Sequence, residues 1–143
     1  MPGPNFLINE GAFEYYGSLR RVRKYVMENF PKKITLAAVA RVASMERTYF
    51  SAFFHRKVGV SFRDWLRELR IQKAMWIMSE CDDPIARVGR AVGFGQIRSF
   101  ERAFKKATQQ TPVQYRRENL RATVLSKETS SEFLTPGIAP NTM

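Results

Sequence analysis

The chain has 143 residues, 44% of them hydrophobic, and carries 24 Lys plus Arg against 13 Asp plus Glu for a formal net charge of +11. That length allows one domain or two very small ones with enough apolar content for a packed core, and the charge makes a polyanion the expected partner, with nucleic acid ahead of an anionic membrane surface. A single cysteine, a single histidine and no apolar run near the ~18 residues of a membrane span exclude an internal disulfide, a cysteine-rich metal centre and a spanning helix, and they point to the cytoplasm.

Taken in order, residues 1–17 hold Pro2, Pro4 and the aromatics Phe6, Phe13, Tyr15 and Tyr16, and are expected to form an arm packed on the body. A first subdomain is predicted over residues 18–60. Ser18 precedes a helix to about Phe30, buried through Leu19, Val22, Val26 and Phe30. Thr35 caps a short helix to about Ala43, and a helix from about Glu46 to Val58 is anchored by Phe50, Phe53 and Phe54 and stopped at Gly59. Ser61 and Asp64 then open the longest helix, over residues 61–80, lined by Trp65, Leu66, Leu69, Ala74, Ile77 and Met78. A second subdomain over residues 81–121 begins with Asp83 as cap and Pro84 at the first helical position, and its last helix starts at Thr111-Pro112. Residues 122–143 turn to Ser, Thr, Pro and Gly without periodicity and are expected to be a disordered tail.

A repeat runs through this order. Leu36, Val39, Ala40, Ala43, Ser44 and Met45 match Ile85, Val88, Gly89, Val92, Gly93 and Phe94; further on, Phe50, Phe54, Ser61, Trp65, Arg67 and Glu68 match Phe100, Phe104, Thr111, Tyr115, Arg117 and Glu118 with one residue inserted in the second turn. The fold class that follows is all-α, with two helix-turn-helix subdomains joined by a long linking helix. In the second subdomain Phe100, Ala103, Phe104 and Ala107 share one helical face, and Arg98, Arg102 and Lys105 recur on the opposite face.

The specific run is Arg70-Ile71-x-x-Ala74, then Ile85-Ala86-x-Val88-Gly89-x-x-Val92-Gly93-Phe94, then Phe100-x-x-x-Phe104-Lys105-Lys106, closing on Thr111-Pro112-x-x-Tyr115-Arg116. Over roughly residues 19–119 the chain resembles the DNA-binding domain of the AraC/XylS family of bacterial transcription regulators. The resemblance implies two helix-turn-helix units on a linking helix, an asymmetric double-stranded DNA site, and usually activation through contact with RNA polymerase. Two departures stand out. Ala43-Ser44-Met45 lacks the glycine usual in the first turn, so a slightly different geometry is expected there, and Glu46 stands where the family prefers a Ser cap.

Base-edge contacts are assigned to Gln96, Ile97, Arg98 and Arg102 of the second recognition helix, because a guanidinium can donate two hydrogen bonds to guanine, Gln can pair with adenine and Ile can meet a thymine methyl. Arg47, Thr48 and Ser51 hold the corresponding face of the first, which has less capacity for forked hydrogen bonds. Arg56, Lys57, Lys105, Lys106, Arg116 and Arg117 are assigned to phosphate. The bland alternative for Arg98 and Arg102 is an exposed ion pair with Glu101, and for the lysines and other arginines a solvated charged face. His55 is expected to be exposed, and Cys81, beside Asp82 and Asp83, is not expected to be a reactive thiolate. No enzymatic activity, cofactor or metal is expected, and one chain carries both units, so binding as a monomer is plausible. The competing reading is a protein-interaction module or anti-activator that docks on another regulator or on RNA polymerase, with the aromatic arm as its handle.

Overall fold

The computed structural model describes residues 8–122 and 125, and eight helices lie among them: α1 Gly11–Tyr15, α2 Gly17–Asn29, α3 Leu36–Val42, α4 Arg47–Val58, α5 Phe62–Glu80, α6 Ile85–Ala91, α7 Ile97–Thr108 and α8 over residues 112–122. There is no strand among the described residues, so the fold is all-α. Residues 1–7, and the tail beyond 122 apart from 125, lie outside the described residues.

Two apolar clusters divide the interior. The first joins Phe13 of α1, Leu19, Val22 and Val26 of α2, Val39 and Ala40 of α3, the phenylalanines of α4, and Phe62, Trp65, Leu66 and Leu69 of α5. The second is built by Ile71, Ala74 and Met78 of α5, Val88, Val92, and Phe100, Ala103 and Phe104 of α7. Helix α5 thus gives its N-terminal half to one cluster and its C-terminal half to the other, and Phe30 packs against both. Arg70 ties this junction together: Nε donates to the Phe30 carbonyl at 3.0 Å and Nη2 to the Lys32 carbonyl at 2.9 Å. Half-buried, its guanidinium pKa is held below the usual value by desolvation.

The caps follow the chemistry of their residues. Thr35 Oγ1, Glu46 Oε1 and Ser61 Oγ accept from Ala38 N, Tyr49 N and Asp64 N at 3.1, 3.0 and 3.1 Å, each satisfying a free amide of a first turn. Thr111 and Gln114 make a reciprocal capping box, with Thr111 Oγ1 accepting at 3.1 Å and Gln114 Oε1 accepting at 2.9 Å. Helix α4 ends on Gly59 at φ 100°, and α7 ends on Gln109 at φ 67°, the same left-handed position one repeat later.

Two local expectations are corrected. Helix α6 begins after Pro84, which stands outside it at ψ 145°, and no side chain caps it; Asp83 is therefore not its cap. Helix α2 begins at Gly17, before Ser18, behind Tyr16 in extended backbone. The two turns share one hydrogen-bond pattern and differ slightly in backbone angle, as the missing glycine leads one to expect. Ser44 adopts φ 59° where Gly93 has 106°, and Met45 N donates to Ala40 O at 2.9 Å as Phe94 N donates to Gly89 O at 3.0 Å. A single L-residue in that region costs about 1–2 kcal/mol, which two packed helices can impose.

Candidate nucleic-acid interface

Helices α3 and α4, and again α6 and α7, form the two helix-turn-helix pairs, with α4 and α7 second in each. Helix α7 buries Phe100, Ala103 and Phe104; Phe100 lies 5.4 Å from the Phe94 ring and 5.7 Å from Phe104. Gly89 lets α6 approach closely, for a Cβ there would stand 2.9 Å from the Phe100 ring. These contacts fix the rotation of α7 and leave Arg98, Glu101, Arg102, Lys105 and Lys106 exposed. Neither Arg98 nor Arg102 pairs with Glu101: the ion pairs among the described residues are Arg23–Glu14 at 2.6 Å and Arg67–Asp64 at 2.9 Å. Gln96 is the residue before α7, in extended backbone, and Ile97 at its first position is 43% exposed.

On α4, Arg47, Thr48 and Ser51 are exposed together with Ala52 and His55. Glu46 turns its carboxylate back onto the helix, and hydrogen bonds from the Thr48 and Tyr49 amides hold its pKa below the usual carboxylate value. Arg56 and Lys57 face another way. The Arg56 guanidinium lies 6.0 Å from the Phe53 ring, and the Lys57 ammonium lies 5.3 Å from Tyr16 and 6.0 Å from Phe53. Tyr15, Tyr16, Phe53 and Tyr49 form a chain of ring contacts at 4.8, 5.3 and 6.1 Å along this flank.

Arg117 on α8 is exposed, whereas Arg116 is half-buried, and its Nε and Nη2 are buried without a hydrogen-bond partner. Arg116 follows Tyr115 as Leu66 follows Trp65, so a guanidinium occupies the repeat position of a core leucine. Cys81 is exposed, its thiol donating to the Ile77 carbonyl at 3.3 Å. Among the described residues no group of three or more His, Cys, Asp or Glu is placed to hold a metal, and no helix is long and apolar enough to cross a membrane.

Between the two units lies an open cleft of about 860 Å³, bordered by Ser51 of α4, Ser99, Arg102 and Lys106 of α7, and Arg63, Arg67 and Arg70 of α5. Ser51 and Arg102, one from the second helix of each pair and both expected at base edges, meet on this cleft beside Arg63 and Arg67, for which the sequence sets no expectation. The signal for Arg67 lay in the repeat, which pairs it with Arg117.

A family model described as a helix-turn-helix domain matches residues 39–118. The arabinose operon regulatory protein of Escherichia coli K12 is 31% identical over 99 residues, which make up 68% of this chain and 34% of that protein; the chain spans about a third of such a relative's length. Among solved structures, the C-terminal domain of AraT, a response regulator from Geobacillus stearothermophilus, is 32% identical with a TM-score of 0.67, over 71% of this chain and 84% of that one. The DNA-binding domain of AdpA, solved in complex with a target DNA, shares the fold at 22% identity and a TM-score of 0.67, over 71% and 91% of the two chains.

Proposed function

The chain belongs to the AraC-type helix-turn-helix family, and from that premise we propose that it is the DNA-reading part of a transcription regulator, docking on double-stranded DNA with α4 and α7 in two adjacent major-groove segments. The observation that carries the reading is the unpaired basic face of α7: Arg98, Arg102 and Lys105 exposed on a helix whose opposite face is locked by Phe100 and Phe104. Unpaired guanidiniums on a rotationally fixed helix are free to fork onto guanine, at about 1–3 kcal/mol of discrimination each. The charge of +11 supplies the sequence-independent attraction, and the AdpA domain, bound to its own target DNA, supports the class of ligand.

Within this reading Gln96, Ile97, Arg98 and Arg102 specify one half-site and Arg47, Thr48 and Ser51 the other, while Lys105, Lys106 and Arg117 grip phosphate. Arg56 and Lys57 reach phosphate only from the flank where their aromatic contacts hold them, and Arg116 contributes through whichever of its nitrogens reaches the surface. One chain carries both units, so a monomer suffices for one site. Activation through RNA polymerase in the bacterial cytoplasm completes the proposal, on family resemblance alone.

The test is selection from a randomised duplex pool at two salt concentrations. A bipartite, asymmetric motif with half-sites about one helical turn apart is the expected outcome. Binding without enrichment, lost steeply with salt, would leave only nonspecific packaging. A chain that binds no DNA would leave the protein-docking reading, whose handle would be the flank where Tyr15 is 80% and Tyr49 56% exposed.

A further inference from the structure

The cleft between the two units draws five cationic side chains, Arg63, Arg67, Arg70, Arg102 and Lys106, onto one concave surface whose lining contains no carboxylate. Its floor is apolar, formed in part by Phe62, Leu66 and Phe94; a low-dielectric wall behind like charges focuses their field outward and makes the bare surface self-repelling. These cations are not equivalent. Arg70 is committed to the Phe30 and Lys32 carbonyls. Arg67 is half-exposed and shares one nitrogen with Asp64 at 2.9 Å, which leaves the rest of its fork for another acceptor. Arg63 is exposed and has neither an ion pair nor a cation–ring contact.

We infer that Arg63 and Arg67 form a phosphodiester-binding site on the linking helix, taking the DNA backbone that crosses between the two major-groove segments. The inference rests on the proposed DNA reading and adds a third point of attachment to it, outside both helix-turn-helix units. Its placement follows from the walls. Ser51 comes from α4 and Arg102 from α7, so a duplex engaged by both helices must carry its intervening backbone across the mouth of the cleft. A guanidinium matches phosphate with two parallel donors, and Ser99 supplies a hydroxyl on the same wall. Because α5 is one rigid helix between the units, contacts made from it hold the spacing of the half-sites as well as adding affinity.

The experiment uses the duplex motif selected by the wild-type chain, in two forms: natural, and with neutral methylphosphonates replacing the phosphates between the half-sites. Each is titrated with wild type and with a chain carrying Arg63→Gln and Arg67→Gln, at two salt concentrations. Both substitutions are at solvent-accessible helical positions and keep helix-forming residues. Two lost phosphate contacts predict a log–log salt slope shallower by about 2, so that between roughly 50 and 200 mM salt the variant loses about tenfold less affinity than wild type. The neutral linkages should weaken the wild type and leave the variant nearly unaffected. Equal slopes, or an equal cost of the neutral linkages in both chains, would overturn the assignment while the selected motif kept the DNA reading intact. A wild type that selects no motif would remove that reading first and this site with it.

Discussion

Ser44 and Gly93 hold the same left-handed position in the two turns, at φ 59° and 106°, although only one of them is a glycine. Relieving an L-residue there gains about 1–2 kcal/mol, and the extra freedom of glycine in the unfolded chain takes back about 0.5–1. Ser44→Gly should therefore raise stability by roughly 0.5–1 kcal/mol in urea unfolding. Gly93→Ala should destabilise by more than the conformational cost alone, because its Cβ would stand 2.6 Å from the Phe30 carbonyl oxygen and 2.8 Å from Arg70 Nε. A Ser44→Gly variant less stable than wild type would show that the Ser44 side chain holds the turn.

The repeat makes most of this architecture legible in the sequence. The i, i+4 spacing of Phe50 and Phe54, repeated by Phe100 and Phe104, located α4 and α7, and the cap residues Thr35, Ser61 and Thr111 located their neighbours, because those signals are local. Helix α1 was not legible as a helix. Five residues opening on a glycine have no periodicity to read, and their order comes from Phe13, which is fully buried 5.1 Å from the Trp65 ring. The cleft was equally hidden, since Arg63 and Lys106 come together only when α5 and α7 pack. Arg116 reads as one more surface cation by its charge, although its neighbours Tyr115 and Arg117 repeat Trp65 and Arg67 and so set it on the core position of Leu66.

Phe13 carries the packing of α1. Its ring meets Phe54 at 5.9 Å as well as Trp65, and the Arg23 guanidinium lies 5.2 Å from it. Phe13→Ala should cost about 3–5 kcal/mol in equilibrium unfolding, the range for a buried aromatic truncation. A loss below about 1 kcal/mol would mean that α1 is dispensable and the surrounding core closes over the gap.

Two glutamates should act oppositely on the pH dependence of stability. Glu46 has its pKa lowered from 4.5, chiefly by hydrogen bonds from the Thr48 and Tyr49 amides, so its contribution is present above the unfolded-state pKa and lost as pH falls through the lower folded one. Glu68 has its pKa raised from 4.5 by burial, against a hydrogen bond with Gln72. Its contribution is present below the unfolded value and lost as pH rises through the folded one. Glu46→Gln should flatten the acid limb of the stability curve, and Glu68→Gln should raise stability at neutral pH relative to wild type. Parallel curves for wild type and Glu68→Gln across the carboxylate range would contradict the second sign.

Reading and gripping should separate by substitution on α7. Arg102→Ala should lower affinity for the selected motif by about 1–3 kcal/mol while changing random-DNA binding much less, because a base contact carries the preference. Lys106→Ala should weaken every sequence alike and make the log–log salt slope shallower by about 1. Equal losses for Arg102→Ala on selected and random duplexes would move Arg102 to the phosphate group.

If both units engage one duplex, as proposed, the length of α5 predicts a bend in the DNA. Helix α5 has 19 residues, and at ~1.5 Å per residue that is a bar of roughly 28 Å. Successive major-groove segments on one side of straight B-DNA recur about every 34 Å. In the proposed complex, with α4 and α7 anchored toward opposite ends of so short a bar, either one unit seats poorly or the duplex bends toward the protein. Bending by a few tens of degrees costs on the order of 1–6 kcal/mol, least where the spacer contains flexible pyrimidine–purine steps. The expected outcome is a bend centred between the half-sites, seen as position-dependent mobility of permuted fragments, with affinity improved by such steps in the untouched spacer. Straight DNA with both half-sites protected in a footprint would show that the two helices reach a full turn apart unaided, and the spacing would then be set by their tilt on α5 rather than by its length.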